Sequence, residues 1–435
     1  MNTINPEAAG QPRKRLATNF RRERLTSLLN YTKYTDPLAM FTWVASTTFN
    51  YPFLAPFRYL VAGYFVTMIV LFGRQTMPAV GRSWPLFLIP ILCTTSALWA
   101  PVPAETLRKG IAMALTGLVA IYAASRLSGQ QLLLSYFAAE SIAALMSLVM
   151  GGKDGSGAWI GIFDQKNFFA IHMFLLYGAC AGILFDQSQN RNIRIAATLM
   201  AALAGFLIFM AKSGTTTIMF IVVTFLLFAQ AFFWGPISKI RHARMFFVLL
   251  ISIIGIIGSL VVFGILQLDV KEEILKALGK DPTLTGRTYL WEIAKRVMAE
   301  HPWTGVGGEG FWRPELGPAN SIAQYFHYPR FMGFSFHNSY YENGAAYGYP
   351  GFFATLFLAT WAITSTTLTW FRNQTIVNAA FLVFAAAIVI RTNSEVDLSG
   401  EFSGTAVILF IAASRKEHLQ KQRLMPARIP HTASR

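Results

Sequence analysis

Two consecutive apolar runs decide the fold: IRIAATLMAALAGFLIFMA at residues 193–211 and TTTIMFIVVTFLLFAQAFFW at residues 215–234, separated by Lys212-Ser213-Gly214. Each is long enough, as a helix, to cross a hydrocarbon core of ~30 Å. Comparable runs recur along the 435 residues, of which 54% are hydrophobic and 13% charged, against about 25% charged in a soluble domain. Such a chain cannot cover itself with polar surface. The sequence therefore predicts an all-α polytopic membrane protein of about twelve transmembrane helices. The expected spans are 38–56, 57–73, 84–100, 107–124, 131–150, 167–185, 193–211, 215–234, 245–267, 339–370, 376–390 and 402–413.

The basic charge sorts by side. With the N-terminus, the loops near Arg74, Arg126, Arg191, Lys239 and Arg372, and the C-terminal tail on one side, that side holds 22 of the 37 Lys and Arg but 5 of the 21 acids. Its surplus is +17, and the rest of the chain stands at −1. Lys and Arg are retained in the cytoplasm, so the net +16 is a topology signal and needs no nucleic-acid surface. This gives an expected multi-pass protein of a bacterial inner membrane with both termini cytoplasmic. Its parts are a basic N-terminus (1–35), nine spans (36–267), one large periplasmic loop (268–337), three spans (338–414) and a cytoplasmic tail (415–435). The polar, basic N-terminus does not have the pattern of a signal peptide. Cys93 and Cys180 lie in apolar runs and make no metal or disulfide framework.

The loop carries a periodic pattern of its own. Over 283–302, Leu290, Ala294, Val297 and Met298 fall at helical spacing, with Glu292, Lys295, Arg296 and Glu300 opposite. The expectation is an amphipathic helix, capped by Thr283 or Thr285 and ended by Pro302, along the membrane surface or over a cavity. Arg287 falls in its first turn, where free backbone N–H groups attract anions. A diphosphate suits that corner; an ion pair to Asp281 or Glu292 is the alternative. Gly305, Gly307 and Gly310 satisfy G-x-G-x-x-G, but a nucleotide fingerprint follows a strand and opens a helix, whereas this run follows a helix. A tight turn that brings backbone close to another segment accounts for it better.

The loop closes with Phe336-His337-Asn338-Ser339-Tyr340-Tyr341-Glu342-Asn343, where a membrane helix begins. A histidine with an ordinary pKa near ~6.5 accepts a proton at working pH, which makes His337 a base candidate; a capping or core histidine is the alternative. Three further outward sites are Lys212-Ser213-Gly214-Thr215-Thr216-Thr217, Asp164-Gln165-Lys166-Asn167, and Arg391 with Glu395 and Asp397. Each reads as part of an anion pocket or as a lipid-headgroup anchor. Glu140 stands mid-span with no partner that the sequence assigns.

These residues together resemble a known family, the O-antigen ligases with the O-antigen and exopolysaccharide polymerases. The resemblance rests on Thr285-Gly286-Arg287 followed by Trp291, on His301-Pro302-Trp303-Thr304-Gly305-Val306-Gly307, and on His337-Asn338, nine residues, then Gly348 and Gly351. It implies a metal-independent, cofactor-free glycosyltransferase that moves a glycan from undecaprenyl diphosphate to an acceptor sugar hydroxyl on the periplasmic face. It assigns His337 and Arg287 to catalysis, and Lys212, Arg391, Lys166 and Asn338 to substrate binding. Lys212 stands near a place where many members carry arginine, and a lysine binds phosphate only as a point charge. The implied partners are the lipid-linked oligosaccharide, an acceptor glycan or lipid A-core, the bilayer, and other polysaccharide assembly and export proteins. Phe163-Asp164-Gln165-Lys166-Asn167 and Leu284-Thr285-Gly286-Arg287-Thr288-Tyr289-Leu290-Trp291 look most like the exopolysaccharide polymerase branch. The His337 spacing is that of the ligases. A transporter or flippase is the reading from another class, although charge here gathers at the outer face rather than at the midplane.

Overall fold

The helix centred in the bundle spans Lys166–Leu184 and is buried from Phe169 to Ile183, because its sequence is apolar on every face. In the computed structural model the described residues are 31–49, 51–232, 286–313, 315, 317–326, 334–398 and 400–416. Helices are numbered in chain order: α1 (31–48), α2 (Ala55–Leu71), α3 (Gly73–Arg82), α4 (Leu88–Ser96), α5 (Pro103–Arg126), α6 (Gly129–Met150), α7 (Lys166–Leu184), α8 (Arg191–Met210) and α9 (Gly214–Phe232). After residues outside the description come α10 (Arg287–Glu300), α11 (Gly317–Tyr325), α12 (Ser339–Arg372), α13 (Ile376–Arg391) and α14 (Gly404–Ser414). A two-stranded antiparallel hairpin, Gly152–Lys153 with Trp159–Gly161, joins α6 to α7.

Among the described residues six helices, α5 to α9 and α12, are long and apolar enough to cross a membrane. The pair α2 and α3, bent by 105°, makes a seventh if counted as one span. The expected spans 376–390 and 402–413 fold as the shorter apolar helices α13 and α14. The expected span 84–100 is divided into a 3-10 turn, Trp84–Phe87, and α4, since Pro85 and Pro90 each remove an N–H from a helical ladder. Residues 73–82, read from sequence as a loop, form a helix with Thr76 and Ala79 turned inward. The expected span 245–267, residues 1–30, the first part of the large loop and the tail from 417 lie outside the described residues.

Polar groups meet at the two ends of the bundle. At one end Arg126 donates to Gln75 (3.1 Å) and Thr32 (3.1 Å), Gln130 donates to Asp186 (2.8 Å), and Arg415 donates to Asn378 (3.2 Å). These contacts gather segments that charge sorting had assigned to one side. Of the large loop, residues 286–313 pack at the other end, where Thr106 donates to the Gly308 carbonyl (2.6 Å) and the Trp99 indole donates to the Thr304 carbonyl (3.2 Å). Inside the bundle, Glu140 accepts from Thr48 (2.9 Å) and pairs with Nδ1 of His172 (3.0 Å), which supplies the partner that the sequence could not assign.

The loop is tied into a break in α12. Gly348 departs from helical angles (φ 70°, ψ −161°) and Pro350 has no N–H, so carbonyls in the preceding turn lose their helical donors. Val306 donates to the Ala345 carbonyl (3.0 Å), Gly307 donates to the Ala346 carbonyl (2.9 Å), and the Tyr349 N–H finds the Pro302 carbonyl (2.7 Å). A break at membrane depth is tolerated when other protein groups re-satisfy the backbone in this way. The glycine run is thus the tight turn expected of it. Gly305 (φ 58°) and Gly307 (φ 84°) are left-handed, and an added Cβ would lie 2.4 Å from Ala346 backbone at the first and 2.7 Å from Ala100 at the second.

Candidate active site

His337 hangs between two fixed points. Upstream, the Phe336 carbonyl accepts from the Trp291 indole (2.9 Å) and the Phe336 N–H donates to Glu342 (2.9 Å), which also accepts from the Trp312 indole (2.9 Å). Downstream, the Asn338 side chain caps α12 by accepting from the N–H groups of Tyr340 (2.9 Å) and Tyr341 (3.1 Å), and its amide donates to the Asn393 carbonyl (3.1 Å). Such a cap contributes about 1 kcal/mol. Between these anchors His337 is held at φ 48°, a conformation that strains a side chain bearing a Cβ and that concentrates at functional sites.

The arginine arrives from α10. Its N-cap is Gly286 (φ 81°), and Arg287, read as part of the first turn, is the first helical residue; Thr283 and Thr285, expected to cap the start, lie outside the described residues. A Cβ at Gly286 would lie 2.4 Å from the Phe326 ring, which would have to shift, and the left-handed φ itself favours glycine. Arg287 does not pair with Glu292, which holds Lys295 instead (2.8 Å), and Asp281 lies outside the described residues. Its partner is Glu395, at 3.0 Å on Oε1.

Glu395 is the hub. Its Oε1 also accepts from the Asn167 amide (3.0 Å), and its Oε2 lies 3.3 Å from His337 Nδ1. Burial works against its charge, but the hydrogen bond from His337 and the positive fields of Arg391 and Arg287 prevail, holding its carboxyl below the usual carboxylate range. With Nδ1 engaged by a carboxylate, the neutral imidazole places its proton there and leaves Nε2 as the proton acceptor. Behind Glu395, the buried Arg391 donates from Nε to Asp397 (2.8 Å) and from a terminal nitrogen to the Asn167 carbonyl (3.2 Å). Ser213 donates to the Asn167 side chain (3.0 Å). A cavity of about 500 Å³ opens beside these groups, with His337, Glu395, Arg391, Asp397 and Phe168 in its wall.

Three of the six sequence-derived site residues, His337, Arg287 and Arg391, thus converge on or beside one carboxylate. Asn338 is adjacent and fixes the helix start. Lys166 faces Asp154 instead (3.8 Å), and the Lys212 ammonium lies beside Gly157 of the hairpin loop, 3.8 Å from where a Cβ would stand. Both lysine motifs lie at the same end of the bundle as Glu395, yet it is their neutral neighbours that turn towards it: Asn167 donates to Glu395, and Ser213 donates to Asn167. The role of Glu395 was missed for the same reason: pairing across 108 and 58 residues leaves no local spacing to read.

The fold and site together define a polytopic helical protein with a histidine–carboxylate–arginine cluster at one end of its bundle. Residues 197–356 match the family described as O-Antigen ligase. The chain is also 26% identical over 263 residues to the exopolysaccharide production protein ExoQ of Rhizobium meliloti (strain 1021), covering 59% of each chain. The resemblance to the O-antigen ligase and exopolysaccharide polymerase family, first read from three short motifs, therefore holds. Arg287, His337 and Lys212 fall inside the matched residues, whereas Lys166, Arg391 and Glu395 lie outside them.

Proposed function

We propose that the chain is a glycosyltransferase that joins a glycan carried on a lipid diphosphate to a sugar hydroxyl, at the periplasmic face of a bacterial inner membrane, and that it polymerises exopolysaccharide or O-antigen repeat units. The observation that carries this is the pairing of Arg287 and His337 on the two oxygens of one carboxylate, within 3.0 Å and 3.3 Å. The acceptor hydroxyl oxygen attacks the anomeric carbon and forms the new C–O bond. The bond from that carbon to the diphosphate oxygen breaks, its electron pair leaving with the diphosphate. The hydroxyl proton passes to His337 Nε2, with the imidazole oriented by Glu395, and from there to solvent. Arg287 neutralises the departing charge, with Lys212 and Lys166 as further cations at the same end. Twelve spans with both termini cytoplasmic are part of the same reading.

The polymerase reading follows the similarity to ExoQ, a protein of exopolysaccharide production. Ligation to lipid A-core is the second reading, favoured by the description of the matched family. A transporter is less well supported, since the one histidine–carboxylate pair within the bundle among the described residues is sealed, its side chains 2% and 1% exposed. The test is purified protein in chelator with undecaprenyl-diphosphate oligosaccharide, with and without lipid A-core. Longer lipid-linked glycan without added acceptor is the expected product. Product only with lipid A-core would establish the ligase instead, and no product in either case would overturn transfer.

A further inference from the structure

Glu395 presents its two oxygens to different partners. Oε2 faces His337, which is part of the cavity wall, whereas Oε1 takes Arg287, which is not. The wall's charge is unsuited to a diphosphate. Among the described residues it holds two carboxylates, Glu395 and Asp397, against one cation, Arg391, whose Nε donates to Asp397 and one of whose terminal nitrogens donates to a backbone carbonyl. With His337 neutral the wall is formally −1, and a multiply charged anion would face repulsion at close range.

The rest of the wall offers two kinds of surface. Phe168 and Phe334 present rings, while Gln165, Ser403 and Thr405 present an amide and two hydroxyls. A sugar has both complements, an apolar C–H face for the rings and hydroxyls for the polar groups. The volume of about 500 Å³ lies within the ~300–1,000 Å³ of small-ligand pockets, whose apolar walls with few placed polar groups fix orientation. The sugar whose hydroxyl must reach His337 is the acceptor.

We propose that this cavity is the subsite for the acceptor's terminal sugar, neutral or amino-substituted, and that the donor diphosphate docks across Glu395 at Arg287. This rests on the transfer reading above. Glu395 then serves as a partition: it orients the base on the acceptor side and holds the arginine in place on the donor side until diphosphate arrives.

The experiment measures two probes separately on the full-length protein in detergent: undecaprenyl diphosphate, and a lipid-free oligosaccharide of the host polymer followed by saturation-transfer NMR. Phe168→Ala and Gln165→Ala should each weaken the oligosaccharide by about tenfold and leave undecaprenyl diphosphate within about twofold. Arg287→Ala should do the reverse. The two cavity variants guard against a folding effect of either one, since loss of fold would abolish both probes together. Cavity variants that weaken undecaprenyl diphosphate and spare the oligosaccharide would overturn the assignment while leaving the transfer reading intact. Failure of the wild-type protein to bind either probe would overturn both.

Discussion

Two histidine–carboxylate pairs among the described residues have nearly the same geometry and opposite circumstance. His172 and Glu140 meet at 3.0 Å inside the bundle, their side chains 2% and 1% exposed, with Phe163 stacked on the imidazole at 4.8 Å and Phe168 edge-on at 4.9 Å. His337 and Glu395 meet at 3.3 Å beside a cavity, 30% and 16% exposed, and the carboxylate is shared with an arginine. The first pins α6 to α7 and has no route to a substrate. The second has a partly exposed imidazole, a cavity beside it and an arginine on the same carboxylate. Residue chemistry nominates both pairs; access and the third partner separate them.

The largest effect that would test this contrast is on turnover. His337→Ala should lower glycan transfer by about 10²–10⁴-fold, the usual worth of a general base, while the protein stays folded in the membrane. Near-normal product from lipid-linked oligosaccharide would remove His337 from catalysis. Arg287→Ala should cost about 10²–10³-fold, the range for losing one charge-stabilising donor, and Arg287→Lys should recover part of it because a lysine supplies charge without the planar fork. Equal loss in both variants would assign the guanidinium geometry, rather than its charge, the main role.

His172→Ala should act on stability instead. It removes one partner of a buried pair, which costs about 3–5 kcal/mol, so the thermal midpoint in detergent should fall while activity per folded molecule stays near that of the wild type. A stable His172→Ala protein with no activity would erase the distinction between the two pairs. Glu395→Gln sharpens it. The amide keeps the shape of the hub but not its charge, so turnover should fall between wild type and His337→Ala and the pH–rate profile should move to lower pH, because without the carboxylate the imidazolium is disfavoured and the base is free of its proton at lower pH. An unchanged profile would mean that Glu395 does not orient the base.

The smallest effect is on stability against acid. A carboxylate held below its ordinary value binds fewer protons folded than unfolded, so its contribution is complete above the unfolded value near ~4.3 and is lost as pH falls through the folded one. For Glu395 the direction is downward, against its own burial and because of His337, Arg391 and Arg287. Wild type should therefore lose more of its thermal midpoint than Glu395→Gln on acidification through that window. Parallel acid curves would show that other carboxylates carry the effect.

How much of this was legible in the chain follows the range of each interaction. Apolar runs set the membrane class and most helices, since the need to satisfy backbone hydrogen bonds in hydrocarbon acts on each run by itself. The place of Arg287 in the first turn of α10 and the start of α12 at Ser339 were readable from local signals. Prolines at 85 and 90 divided an apolar run whose length alone suggested a span. Which member of a polar motif faces inward was not readable: Lys166 and Asn167 are neighbours, yet the first pairs with the hairpin and the second with Glu395. A helix turns successive side chains by about 100°, and only the packing of α7 against α13 decides which direction meets a partner. Sequence by itself thus determined the class and brought forward the histidine and the arginine as candidates. Tertiary structure alone decided that both converge on Glu395, because an ion pair across 108 residues is formed by helices meeting in space and has no signature along the chain.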